Sequence, residues 1–142
     1  MATDMNLSFL ASLQQERLGV LEVKRLCDGL CGRDELMQLA DCVLAEDDRV
    51  ARNAAWILTH CHDEAVACLQ GYTDRLIDRA MHTDSSSLRR LTLHLLERLD
   101  YGAEELRTDF LDFCLEHMQR MDEPSGVQSL CMKIALKLCR LY

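Results

Sequence analysis

The feature that most constrains this chain is that it repeats itself. The segments VARNAAWILTHC from Val50, LRRLTLHLLERL from Leu88 and VQSLCMKIALKL from Val127 share one apolar register, at offsets of 38 and 39 residues. Apolar residues recurring near every 3.6 positions mark an amphipathic helix. The stripe opens at Val50, Leu88 and Val127. It continues through Ala54, Ile57 and Cys61, then Leu91, Leu95 and Leu99, then Leu130, Ile134 and Leu138. One such helix cannot bury its stripe alone, so successive copies are expected to stack and share a continuous core.

Partner helices are expected between the copies, in DELMQLADCVL from Asp34, TDRLIDRAM from Thr73 and TDFLDFCLEHM from Thr108. Asp34, Thr73 and Thr108 are N-cap candidates for these, and Asp47, Asp48 and the run Ser85 to Ser87 for the first two repeated helices. Pro124 stands beside the start of the third, where a missing amide proton costs nothing. The linkers HTDSSS, LDYGAEE and MDEPSG are short, as between packed antiparallel helices. Before Asp34 the pattern is less regular: Leu7, Leu10, Leu18, Leu21, Leu26 and Leu30 suggest one or two helices interrupted near Gly19, capping the first repeat.

Only 6 glycines and 1 proline in 142 residues starve a sheet protein of turns, so the fold class is all-α. The expected architecture is an α-α superhelix, a HEAT/armadillo-like solenoid of about three helix pairs. It forms a single domain over 1–142, with 1–33 as an N-terminal helical cap and 34–142 as helical repeats. From Asp47 to Tyr142, and most clearly in the motif RVARNAAWILTH, the chain resembles small HEAT-like proteins of the Bacteroidetes type. That resemblance implies an α-α superhelix with no established catalytic residues. More distantly the chain is similar to HEAT-like DNA alkylation repair proteins, which lay a duplex along a basic concave groove.

Several function classes are excluded by the residues themselves. The N-terminus lacks a basic region before its apolar residues, and Gln14, Gln15 and Glu16 interrupt any signal-like run. Nowhere do eighteen apolar residues run together, so no membrane span and no membrane partner is expected, and the location expected is cytoplasmic. The 8 cysteines form no C-x-x-C pair and mostly fall at apolar helical positions, where a reduced thiol behaves as a small hydrophobe; disulfides are not expected. His60, Cys61 and His62 are the best metal constellation, yet residues two apart on a helix point to different faces, so neither a metal nor any cofactor is expected. Ser85 to Ser87 lack a nucleophile elbow, and the six glycines form no phosphate loop. No catalytic residue is assigned, and the chain is read as not an enzyme.

Charge points to binding instead. The formal net charge is −8, but it is segregated. The repeated helices, 49–61, 88–99 and 127–141, hold Arg49, Arg52, Arg89, Arg90, Arg98, Lys133, Lys137 and Arg140 against one acid, Glu97, a formal +7 beside −15 for the remainder. The repeat alignment sets Arg52 level with Arg90, Trp56 with His94 and Lys133, and His60 with Arg98 and Lys137. All lie off the apolar stripe. Second helices of a two-helix solenoid line its concave side. Hence Arg49, Arg52, Trp56, His60, Arg90, His94, Arg98, Lys133 and Lys137 are the candidate binding residues of a basic groove with one aromatic platform. Arginine outnumbers lysine 13 to 3, which suits bidentate recognition of carboxylate or phosphate.

Two functions follow. The first is a non-enzymatic protein–protein interaction scaffold or adaptor that binds an acidic partner protein or peptide in the concave face. The alternative, carried by the second resemblance, is a nucleic-acid-binding protein. At the C-terminal end Leu138, Leu141 and Tyr142 are expected to be exposed and placed to pack against a second copy, giving a homodimer through the last helix.

Overall fold

The computed structural model describes residues 19–28 and 32–141. The described residues hold eight α-helices and two 3-10 turns, without a strand. The helices are α1 (Val20–Asp28), α2 (Arg33–Val43), α3 (Asp48–Thr59), α4 (Asp63–Ala67), α5 (Thr73–His82), α6 (Ser86–Glu97), α7 (Thr108–His117) and α8 (Ser125–Cys139); the 3-10 turns are Cys68–Tyr72 and Ala103–Glu105. The chain divides into two compact units, Met1–Tyr72 and Thr73–Tyr142.

In the first unit α2 and α3 pack as a pair, and α1 packs on α3. Gly32 precedes α2 with φ of +91°, a conformation that a side chain would strain. Helix α3 begins where Asp47 accepts from the Arg49 and Val50 amides, at 2.9 and 3.5 Å, two of the donors that a helix start leaves unpaired. Its inner face is built from small residues, Ala51, Ala54 and Ala55 with Ile57 and Leu58, all fully buried. These close on Leu39, Ala40 and Val43 of α2. After α3 the chain turns through α4 and the first 3-10 turn, which packs back on α2. Leu69 fills the core there, while Tyr72 donates its hydroxyl to Asp41 at 2.8 Å.

The second unit contains two helix pairs, α5 with α6 and α7 with α8. Helix α6 also packs on α8, and α5 touches α7, so the second pair lies on the first in register. Being covered by both α5 and α8, α6 buries Leu88, Leu91, Leu93, Leu95 and Leu96, more than a one-sided stripe would supply. Phe110 and Cys114 of α7 meet the same core as Val127, Cys131, Ile134, Ala135 and Leu138 of α8. Ser85 caps α6 by accepting from the Leu88 amide at 3.2 Å.

The repeated apolar register is therefore the core-facing register, with Val50 and Leu130 only half buried at its edges. Four expectations are corrected. Leu138 is 1% exposed: α8 turns it inward with Ile134, and the exposed apolar side chains of that helix are Met132 and Leu136. Leu21 is 84% exposed, so it does not serve as core of an N-terminal cap. Asp34 falls inside the first turn of α2, behind Gly32. Thr108 opens α7 behind Arg107, with Asp109 accepting from the Phe110 amide. Leu7, Leu10, Leu18, Leu30 and Tyr142 lie outside the described residues.

Candidate binding face

In the first unit, Arg49, Arg52, Trp56 and His60 recur at intervals of three and four along α3 and its C-cap, so they share one side of that helix. It is the side away from Ala54 and Ile57. Arg49 and His60 are exposed, and Arg52 and Trp56 half buried. The Trp56 and His60 rings stand 6.3 Å apart and tilted by 49°. A half-buried indole beside cationic side chains can stack on a planar group or pack an aliphatic one.

In the second unit the remaining candidates line α6 and α8, which pack together. Arg90 is exposed, and its stem runs along the start of α8: a β-carbon at Gly126 would meet the Arg90 Cδ at 3.1 Å. Gly126 thus lets an arginine lie across the helix junction. His94 and Arg98 follow Arg90 on α6 and are half buried; Lys133 is exposed on α8. Lys137 differs from the rest. Its ammonium donates to the Glu97 carbonyl and, at 2.8 Å, to the Leu99 carbonyl, and it lies 5.7 Å from the centre of the Tyr101 ring. It closes the C-terminus of α6, where unpaired carbonyls and the helix dipole favour a cation.

Arg89, one of the basic residues that make the repeated helices positive, has a similar task. It donates to the Ala80 and Thr83 carbonyls at 2.9 and 2.6 Å, closing the end of α5. It also lies 3.9 Å from the Glu123 carboxylate and 5.6 Å from the Phe113 ring centre. His117 stacks on Phe113 at 3.8 Å and bonds to Glu123 through Nδ1. The sequence carried a weak signal for such anchors, a basic residue falling near each helix end, and none for the Arg89–Glu123–His117 cluster, whose members meet only when three elements pack.

Three further cations with acidic partners lie off the second helices. Arg25 pairs with Glu22, Arg107 with Asp74, Asp78 and Asp109, and Arg120 with Asp122 and Glu116. These contacts hold the Asp109 and Asp122 carboxyls below the usual carboxylate range, chiefly through hydrogen bonds from Arg107 and Arg120. By contrast, no hydrogen bond or ion pair engages the Arg49, Arg90 or Lys133 side chains among the described residues. The described residues also contain no group of three metal-ligating side chains and no helix long and apolar enough to cross a membrane.

Stacked helix pairs with a common core and an outward polar face define a helical repeat protein. The chain belongs to the family described as HEAT repeat domain, which matches residues 10–142. HEAT repeat proteins are typically non-enzymatic scaffolds, commonly for protein interaction. Neither the curated proteins nor the solved structures compared with the chain gave a match.

Proposed function

We propose that this HEAT repeat chain is a scaffold that receives acidic segments of a partner protein on the basic sides of its second helices, α3 in the first unit and α6 with α8 in the second. The observation that carries the reading is the uneven pairing of charge. Acidic residues occupy Arg25, Arg107 and Arg120 on other elements, whereas Arg49 on α3, Arg90 on α6 and Lys133 on α8 stand exposed with no acid paired to them among the described residues. Exposed cations left unpaired among the described residues, on a protein of net charge −8, are available to a carboxylate-bearing partner. Trp56 supplies the large apolar contact area that usually anchors such an interface. Arg52, His60, His94 and Arg98 extend the same sides of their helices, and Lys137 borders them while holding the end of α6.

The test is a fluorescence-anisotropy titration of a labelled Asp/Glu-rich peptide, with a short DNA duplex of equal charge in parallel, each at two salt concentrations. Saturable peptide binding that is weakened at least about tenfold, or about 1.4 kcal/mol, by the Arg90→Glu, Lys133→Glu pair is expected. Duplex binding with a log–log salt slope near the number of phosphates contacted, and none to the peptide, would replace this reading with the nucleic-acid one.

A further inference from the structure

Two sulfurs from distant parts of the sequence meet in the first unit. Cys27, in the last turn of α1, and Cys61, just past α3, place their Sγ atoms 3.0 Å apart, one thiol donating to the other. Cys61 also donates to the Ile57 carbonyl at 3.5 Å. Cys61 is 6% exposed, while Cys27 is half buried and so open to a reagent. The two sulfurs need to close by only a further ~1 Å to bond, within the play of a helix end.

From this juxtaposition we infer that Cys27 and Cys61 are a disulfide-forming pair, oxidised by a small-molecule disulfide such as oxidised glutathione, and that the bond clamps α1 onto the end of α3. The Cys27 thiolate attacks one glutathione sulfur, forming a mixed disulfide and releasing one glutathione thiolate. The Cys61 thiolate then attacks Cys27 Sγ, forming the protein disulfide and releasing the second. Two thiols lose two electrons and two protons, and one glutathione disulfide becomes two glutathione thiols. In a reducing compartment the pair stays open.

The other cysteines supply internal controls. Cys114 and Cys131 also adjoin each other, but both are fully buried, so the reagent cannot reach them in the folded chain. Cys139 is exposed with no cysteine partner beside it among the described residues, so it can hold a glutathionyl group but cannot resolve it.

The full chain would be incubated with oxidised glutathione, quenched with acid, alkylated and mapped by peptide mass spectrometry. The expected product is a Cys27–Cys61 linked peptide, with Cys139 glutathionylated and Cys114 and Cys131 alkylated as free thiols. Oxidation should raise Tm by about 5–15 °C, because the bond closes a loop of 34 residues. In Cys61→Ser, which removes the resolving thiol, Cys27 should retain one glutathionyl group. A lasting glutathionyl adduct on wild-type Cys27, a Cys114–Cys131 linkage forming first, or the absence of the Cys27–Cys61 peptide overturns the inference, and all three are read on the wild-type chain without any variant.

Discussion

Lys133 and Lys137 sit one turn apart on α8 and face opposite demands. Lys137 is half buried and satisfies two carbonyls at and just beyond the end of α6, those of Glu97 and Leu99. Burial pushes the Tyr101 phenol well above its ordinary pKa, and its hydroxyl donates to the Leu96 carbonyl at 2.7 Å, so the ring beneath the ammonium stays neutral and fixed. Charged hydrogen bonds of this kind contribute roughly 1.5–3 kcal/mol when dry, and partial exposure reduces that. Lys137→Met is therefore expected to lower unfolding free energy by about 1–2 kcal/mol in a urea titration. Lys133→Met should change it by less than about 0.5 kcal/mol, as substitutions at exposed positions usually do, while weakening capture of an acidic peptide. The reverse pattern would assign the structural role to the wrong lysine. Both residues have the same type, charge and distance from the apolar stripe, so the sequence could not separate them; what does is the path of the chain after α6, which brings two carbonyls within reach of one and not the other.

At the scale of elements, the helix starts show what local sequence determines. Asp47 and Ser85 stand ahead of their repeated helices with a side-chain oxygen aimed at backbone amides, and capping chemistry alone suffices to read them. Asp47→Ala should cost about 1 kcal/mol in thermal or urea unfolding, with the loss traceable to α3 by amide exchange. The start of α7 was not legible in the same way. Arg107, in the N-cap position, forks onto Asp78 and Asp109 at 2.8 and 2.7 Å and reaches the Asp74 carbonyl at 3.2 Å, linking α7 to α5 of the preceding pair. That contact spans 29 residues or more and depends on the stacking, not on the segment TDFLDFCLEHM. Likewise α4 and the 3-10 turn after it carry too few residues for a periodic signal, so the connection from α3 to α5 could not be resolved from pattern. The Arg107 fork also sets a pH dependence. Hydrogen bonding to Arg107 depresses the Asp109 pKa below its ordinary value of 3.8, so its stabilising contribution is complete above that value and is lost as pH falls through the lower folded-state pKa. Asp109→Asn should reduce stability at pH 7 by a small fraction of what a buried pair would, given its exposure and screening, and the difference between the variant and the wild type should shrink below pH 4 in acid-unfolding curves.

For the molecule as a whole, the repeat alone made the all-α stacked fold legible, because a 38- to 39-residue period with one apolar register leaves few alternatives. In the proposed function, charge acts at two length scales. A net charge of −8 would repel an acidic partner from far away, whereas on this proposal Arg49, Arg90 and Lys133 attract it at contact. Salt separates the two effects. Near 0.01 M the screening length is about 30 Å, and distant negative charge is felt; near 0.1 M it is about 10 Å, and the local cations dominate; near 1 M it is about 3 Å, and they too are screened. Affinity for an Asp/Glu-rich peptide is therefore expected to pass through a maximum at intermediate salt rather than fall throughout. Duplex binding would instead decline linearly in log–log form as counterions return to the phosphates. An isothermal titration series from about 0.01 to 1 M salt distinguishes these curves. The Arg90→Glu, Lys133→Glu variant should flatten the maximum by removing the attractive component while leaving the long-range repulsion in place, and a monotonic fall for the peptide with the wild-type chain would mean that Arg90 and Lys133 on α6 and α8 do not act as a local attractive face.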